Sequence, residues 1–286
     1  MKIANLSNRV VLIDSKGRAV DVERASSGKF GPAAQDIYTH WSEFSAWAGR
    51  TDISSITATD YEATELGSPT PEPRQIFAIG LNYSEHANES GFQEPDKLPP
   101  IFTKYVSAMT GPVSSVELPR DGNTDWEVEL TVVIGKEAHL VSKDQAWDYV
   151  AGLTAAQDLS ERITQTNGPA PQFGFGKSFP GFLPVGPYVV TPDEFPDRDA
   201  ISLSCEIDGE TMQAGNTRDL IFSVAQLIEG ISQVVTLYPG DLILTGTPAG
   251  IGNGRNPPRF LQAGEVLTSR IEGIGELQQS FTGPVA

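Results

Sequence analysis

Two glutamates stand inside an otherwise apolar, β-branched run, Trp126-Glu-Val-Glu-Leu-Thr-Val-Val-Ile134. Such a run reads as a strand. Successive side chains on a strand point to opposite faces. Glu127 and Glu129 therefore share one face, and Trp126, Val128, Leu130, Val132 and Ile134 the other. Adjacent carboxylates repel, and partial burial makes each costly without a partner. A bound cation is the simplest compensation. The alternative is a solvated strand face on the wet side of an antiparallel sheet.

A third carboxylate, Asp158, closes the small apolar run of residues 150–157 and precedes Leu-Ser-Glu-Arg-Ile-Thr-Gln165. A helix starting at Asp158 places Arg162 and Gln165 on its own face. Asp158 is then equally a helix N-cap. Combined with Glu127 and Glu129 it makes an all-oxygen site suited to Mg²⁺ or Mn²⁺, with coordination positions left for substrate. Zinc fits poorly, because the chain has one cysteine, Cys205, and no histidine near these acids in sequence.

Other groups suit chemistry beside such an ion. His86 and Glu89 are three residues apart, so a helical turn puts them on one face. The carboxylate would orient the imidazole, which could then take a proton from water. An exposed His and Glu on a loop is the plain alternative. Lys177 lies in the Gly-, Pro- and Phe-rich stretch 166–182, which reads as an irregular loop. It is either solvated or placed to neutralise a substrate carboxylate or an enolate. Thr245-Gly-Thr-Pro-Ala-Gly-Ile-Gly252 follows a strand and lacks the Lys of a phosphate loop. Its amides and the Thr247 hydroxyl could hold an oxyanion, or the segment is a tight turn.

The whole chain bounds these readings. Its 286 residues can bury one large core or two unequal ones. A net charge of -17 disfavours nucleic acid and anionic membrane as partners. It leaves a small anionic substrate open, since a metal reverses the field within one pocket. The N-terminus lacks an apolar signal region, and no stretch of about 18 apolar residues could span a bilayer. A cytoplasmic protein is expected. Residues 1–68 read as a small β-rich N-terminal domain, followed by the Pro-rich linker signal Gly67-Ser-Pro-Thr-Pro-Glu-Pro73. Residues 69–286 read as the larger unit, which carries all of the candidate site residues. Within it a hairpin is expected at Asp208-Gly209 and a helix over 223–234. The fold class is α+β, mainly β.

The motifs together resemble the fumarylacetoacetate hydrolase family, including its bacterial acylpyruvate hydrolases. The matching elements, in the family's order, are Gly80-Leu-Asn-Tyr-Ser-Glu-His-Ala-Asn-Glu89, Pro100-Ile-Phe-Thr-Lys104, Asp125-Trp-Glu-Val-Glu-Leu130, Asp158 with Arg162 and Gln165, Gly176-Lys-Ser-Phe179, and Asp241-Leu-Ile-Leu-Thr-Gly-Thr-Pro-Ala-Gly250. The resemblance covers about residues 75–283. It implies a mixed β-sandwich roll, usually a homodimer, with Mg²⁺ or Mn²⁺ on Glu127, Glu129 and Asp158. It also implies a water-activating dyad of His86 and Glu89, and substrate contacts from Arg162, Gln165, Lys177 and Thr247. The loop after Tyr83 resembles the family's lid. Ser160-Glu161 departs from the Thr-Ala that many members carry ahead of the Arg, which leaves pocket charge open. The implied activity is hydrolysis of a C–C bond in a 2,4-dioxo acid to give pyruvate and a carboxylic acid. Oxaloacetate decarboxylation and isomerisation of a 2-oxo diacid use the same enolate chemistry. A non-catalytic, metal-stabilised interaction module is the remote alternative.

Overall fold

The computed structural model describes residues 1–89 and 97–284. Among them the architecture is mostly sheet with a few short helices. An 11-stranded sheet runs in the order Ala19–Asp21, Arg9–Ile13, Lys2–Leu6, Leu183–Val190, Val150–Gln157, Val128–Ile134, Leu242–Leu244, Ile76–Ile79, Ile101–Thr103. Leu66–Gly67 pairs with Lys2–Leu6, and Met109–Thr110 with Leu183–Val190. A second sheet orders Glu210–Asn216, Ser202–Ile207, Val266–Ile271, Gly275–Thr282 and Val113–Glu117. One hydrophobic cluster reaches from Ile3 to Phe281 and includes side chains of both sheets. The strands of residues 1–68, expected as a small N-terminal domain, extend one side of the larger sheet through the pairing Ile3↔Val189. No helix among the described residues is long and apolar enough to cross a membrane.

The acidic strand sits deep in this arrangement. Every residue of Val128–Ile134 is buried, so a solvated face is ruled out for Glu129. The regular strand begins at Val128, two residues later than the sequence pattern suggests. Val150–Gln157, read only as a small apolar run, is its antiparallel neighbour and is also buried throughout. Small residues are needed there because the next strand packs close: a Cβ on Gly152 would lie 2.5 Å from Val189 Cγ1. Two short helices, Asp36–Thr39 and Trp41–Ala48, are separated at His40, whose φ of -117° leaves the helical region. Helix Val224–Ser232 follows its sequence signal closely. Ser223 caps it in a capping box with Gln226, worth about 1 kcal/mol, and Val224, Leu227, Ile228 and Ile231 are buried.

Candidate metal centre

Asp158 does not start a helix. The helix is Arg162–Gln165, and its N-cap is Glu161, whose carboxylate accepts from Ile163 N at 3.0 Å and Thr164 N at 2.7 Å. That also places Glu161, the departure from the family pattern, outside the acidic cluster: its charge is spent on backbone amides. Freed from capping, Asp158 turns toward Glu127 and Glu129. One carboxylate oxygen from each of the three lies within 4.8 Å of the others, and all three residues are buried.

Two buried lysines and a part-buried arginine face these acids. Lys177 Nζ donates to Glu127 Oε2 at 2.8 Å and to Asp158 Oδ2 at 2.6 Å. It packs 5.1 Å from the centroid of the Phe102 ring. At 2% exposure this is no solvated loop lysine; the short helix Phe173–Gly176 inside the expected loop presents it to the cluster. Lys104 Nζ donates to Asp158 Oδ1 at 2.5 Å and to the Phe182 carbonyl at 3.0 Å. Arg162 donates to Glu127 Oε1 at 2.6 Å and to Gln165 Oε1 at 2.9 Å. Its Nε lies 2.7 Å from Asp125 Oδ1, an ion contact whose alignment falls short of a hydrogen bond.

The carboxylates differ in environment. Burial opposes the charge of Glu127, but Lys177 and Arg162 overcome it and hold the group below the usual carboxylate range. Burial and the negative charges of Asp158 and Glu127 push Glu129 well above that range, against one hydrogen bond of 2.6 Å from Gly246 N. Burial likewise opposes the Lys177 ammonium, yet Asp158 and Glu127 raise its pKa. Burial lowers Lys104 despite Asp158. Without a further cation, then, burial and its two acidic neighbours disfavour the charged form of Glu129.

A hard divalent cation fits this donor set: three buried carboxylate oxygens converge, and a cation would offset the cost of charging the third. A metal ligated by Glu129 requires its deprotonated form, which burial disfavours. Mn²⁺ binding is therefore expected to release protons and to tighten as pH rises toward the raised Glu129 pKa. Titration calorimetry in two buffers of different ionisation enthalpy measures the release; identical heats in both buffers would contradict it.

Beside the cluster, His86 and Glu89 form a fixed pair on helix Ser84–Glu89. His86 Nδ1 lies 2.9 Å from Glu89 Oε1, and His86 is buried. Gly250 N donates to both Glu89 oxygens, at 3.1 and 2.9 Å. The Gly-rich segment thus binds two protein carboxylates, Glu129 through Gly246 and Glu89 through Gly250, rather than standing open as an oxyanion cradle. Gly246 has a φ of +100°, and a Cβ there would lie 2.8 Å from Asn82 Cβ, so glycine is required. Thr247 is 2% exposed. Its hydroxyl donates to Val128 O at 2.9 Å and accepts from Gln213 Nε2 at 2.8 Å. A substrate contact through that hydroxyl would need one of these partners released. The expected lid includes residues 90–96, which lie outside the described residues.

The structure brings Glu127, Glu129, Asp158, Lys177, Arg162 and Gln165 into one cluster. Lys104 and Asp125 also belong to it, and sequence reasoning gave them no role. Asp125 was findable, since it continues the alternation of Glu127 and Glu129 by one more step.

Residues 75–282 match the fumarylacetoacetate (FAA) hydrolase C-terminal family, and the chain belongs to it. Over 81% of both chains it is 43% identical to the 2,4-didehydro-3-deoxy-L-rhamnonate hydrolase of Sphingomonas sp. (strain SKA58). It is 42% identical to a mitochondrial oxaloacetate tautomerase of Bos taurus over 73% of this chain and 66% of that one. A solved structure from Mycobacterium smegmatis, 49% identical, superposes with a TM-score of 0.94 over 100% of both chains. The fumarylpyruvate hydrolase of Pseudomonas aeruginosa, solved with Mn²⁺ and pyruvate, is 29% identical with a TM-score of 0.67, over 74% of this chain and 91% of that one.

Proposed function

We propose that this protein is a Mg²⁺- or Mn²⁺-dependent hydrolase that cleaves a C–C bond in a 2,4-dioxo acid, releasing pyruvate and a carboxylic acid. One observation carries the reading: three buried carboxylates converge around a clamped lysine. The rhamnonate relative's name describes a 2,4-dioxo acid, with oxidised carbons flanking a deoxy carbon, and this supports the substrate class.

A metal held by Glu127, Glu129 and Asp158 would act as Lewis acid toward the substrate's 2-oxo group and carboxylate. The chain's own residues do the rest. With Nδ1–H donated to Glu89, His86 keeps its Nε2 lone pair free to take a proton from water. Gly250 N fixes Glu89, so the imidazole keeps that tautomer and orientation. The water oxygen bonds to the C4 carbonyl carbon, the C3–C4 bond breaks, and its electron pair passes to C3 as the enolate of pyruvate. Lys177 Nζ donates to the enolate oxygen, where charge develops. Arg162 holds Glu127 from the far side. The proton on His86 returns to C3 and pyruvate leaves.

The tautomerase relative supports a second reading, in which the same groups exchange a proton on oxaloacetate without attack by water. The test is Mg²⁺-dependent release of pyruvate from a simple acylpyruvate, with oxaloacetate in parallel. Chelator-sensitive release from the acylpyruvate is expected. Enol–keto exchange of oxaloacetate with no release from either compound would favour the tautomerase. Pyruvate from oxaloacetate alone would make the protein a decarboxylase. His86→Ala is expected to lower kcat by about 10²- to 10⁴-fold with Mn²⁺ affinity unchanged. Unaltered turnover would remove the dyad from the mechanism.

A further inference from the structure

Gln213 comes from the edge strand of the second sheet, far in sequence from the acidic cluster, yet it ends inside the site's framework. It is 1% exposed. Its Oε1 accepts from Val128 N at 3.0 Å and from Cys205 Sγ at 3.3 Å. Its Nε2 donates to Thr247 Oγ1 at 2.8 Å and to the Pro248 carbonyl at 2.7 Å. Both donors and both acceptor sites of the amide are therefore used. Val128 is the residue between Glu127 and Glu129. Thr247 and Pro248 lie between Gly246, which holds Glu129, and Gly250, which holds Glu89.

The backbone of the second sheet is deformed to deliver this side chain. Cys205 pairs with Gln213 and Glu206 with Thr211, so Met212 is an extra, bulged residue. Met212 and Gln213 are consequently buried side by side, against the alternation of a regular strand. A bulge of this kind re-aims a side chain. The same strand packs tightly on the Gly-rich segment: a Cβ on Gly215 would lie 2.6 Å from Pro248 Cβ. One residue back along the acidic strand, Glu127 N donates to Gln157 Oε1 at 3.0 Å, and Gln157 Nε2 donates to Ser269 Oγ at 2.8 Å in the second sheet. At the start of the acidic strand, side-chain amides tied to the second sheet take two successive backbone N–H groups.

We infer that Gln213 is a positioning residue for the metal centre: it sets the spacing between the Glu127–Glu129 strand and the Gly246–Gly250 segment, and so fixes the metal ligands and the Glu89 anchor together. The inference rests on the metal-site reading above and extends it to a residue outside the cluster. Partners of this rank are worth about 10- to 100-fold in metal affinity.

Mn²⁺ titration calorimetry on the full chain, beside a thermal melt of the metal-free protein, tests it. Gln213→Leu is expected to weaken Mn²⁺ binding by about 10- to 100-fold. Gln213→Glu, nearly isosteric, keeps the bond from Val128 N and, as a carboxylate, turns an acceptor toward the Pro248 carbonyl in place of a donor. It is expected to weaken binding in the same direction. Cys205→Ala removes only the thiol donor and should leave the affinity at the wild-type value. Wild-type affinity in both Gln213 variants would overturn the inference. So would an equal loss in Cys205→Ala, which would mark a general packing effect. Wild-type protein that binds Mn²⁺ but turns over no dioxo acid would sink the hydrolase reading and leave the role of Gln213 intact; wild-type protein that binds no Mn²⁺ removes both.

Discussion

Glu129→Gln is expected to lose Mn²⁺ binding and turnover together, while the metal-free protein gains stability at neutral pH. The two effects have one cause. Glu129 is the carboxyl whose burial, with Asp158 and Glu127 beside it, raises its pKa well above the unfolded value of 4.5. Between those two pKa values the folded chain binds more protons than the unfolded one, so wild-type metal-free stability falls as pH rises through that window. The fall is limited to about 1.4 kcal/mol per pH unit for one proton. Gln is neutral at every pH and can still accept from Gly246 N, so the slope disappears and the variant is the more stable of the two above the window's lower edge. With Mn²⁺ present the order inverts, because only wild type supplies a third negative oxygen. Loss of a ligand should exceed the 10- to 100-fold cost of an orienting partner, so an affinity loss beyond about 100-fold is expected. Urea unfolding from pH 5 to 8, with chelator and with Mn²⁺, reads both effects. A tight Mn²⁺ site in Glu129→Gln would remove Glu129 from the ligand set.

The parts of this site that were legible in sequence are those that repeat with a local period. Glu127 and Glu129 were readable because a strand alternates, and His86 with Glu89 because a helical turn brings residues three apart together. Local period also explains the misreading at Asp158. An acid ahead of Arg162 suits a cap, but Glu161 stands closer to the helix and takes that place. Lys177 was readable as a residue of interest and not as a buried one. Its loop composition suggests solvent, and only the tertiary placement of Phe173–Gly176 shows the ammonium between two carboxylates. Gln213 left no local trace. A glutamine in a hairpin strand is ordinary, and its aim depends on a one-residue bulge that shifts every side chain after it. The amides of Gly246 and Gly250 were recognised as anion donors, but their anions come from residues more than a hundred positions away in the chain.

Lys177→Met is expected to separate the role of that lysine as counter-ion from its role in turnover. In the metal-free protein the substitution takes the ammonium away from Glu127 and Asp158, both buried. Lys104 and Arg162 still face Asp158 and Glu127, so the cluster stays partly compensated. Breaking a buried ion pair from one side costs about 3–5 kcal/mol, and the metal-free melting temperature should drop accordingly. Mn²⁺ brings two positive charges to the same oxygens and should restore most of that stability. Its affinity should hold or tighten, since a competing cation has gone. Turnover should not recover. A metal on the carboxylates does not replace a donor aimed at charge that appears only as the C–C bond breaks, and loss of one such donor costs about 10²- to 10³-fold in kcat. Melting curves with and without Mn²⁺, beside kcat on an acylpyruvate at saturating metal, give the comparison. If the Mn²⁺-loaded variant turns over within a few-fold of wild type, Lys177 is only a counter-ion to Glu127 and Asp158. If stability and affinity behave as stated while kcat falls, the ammonium acts on the substrate.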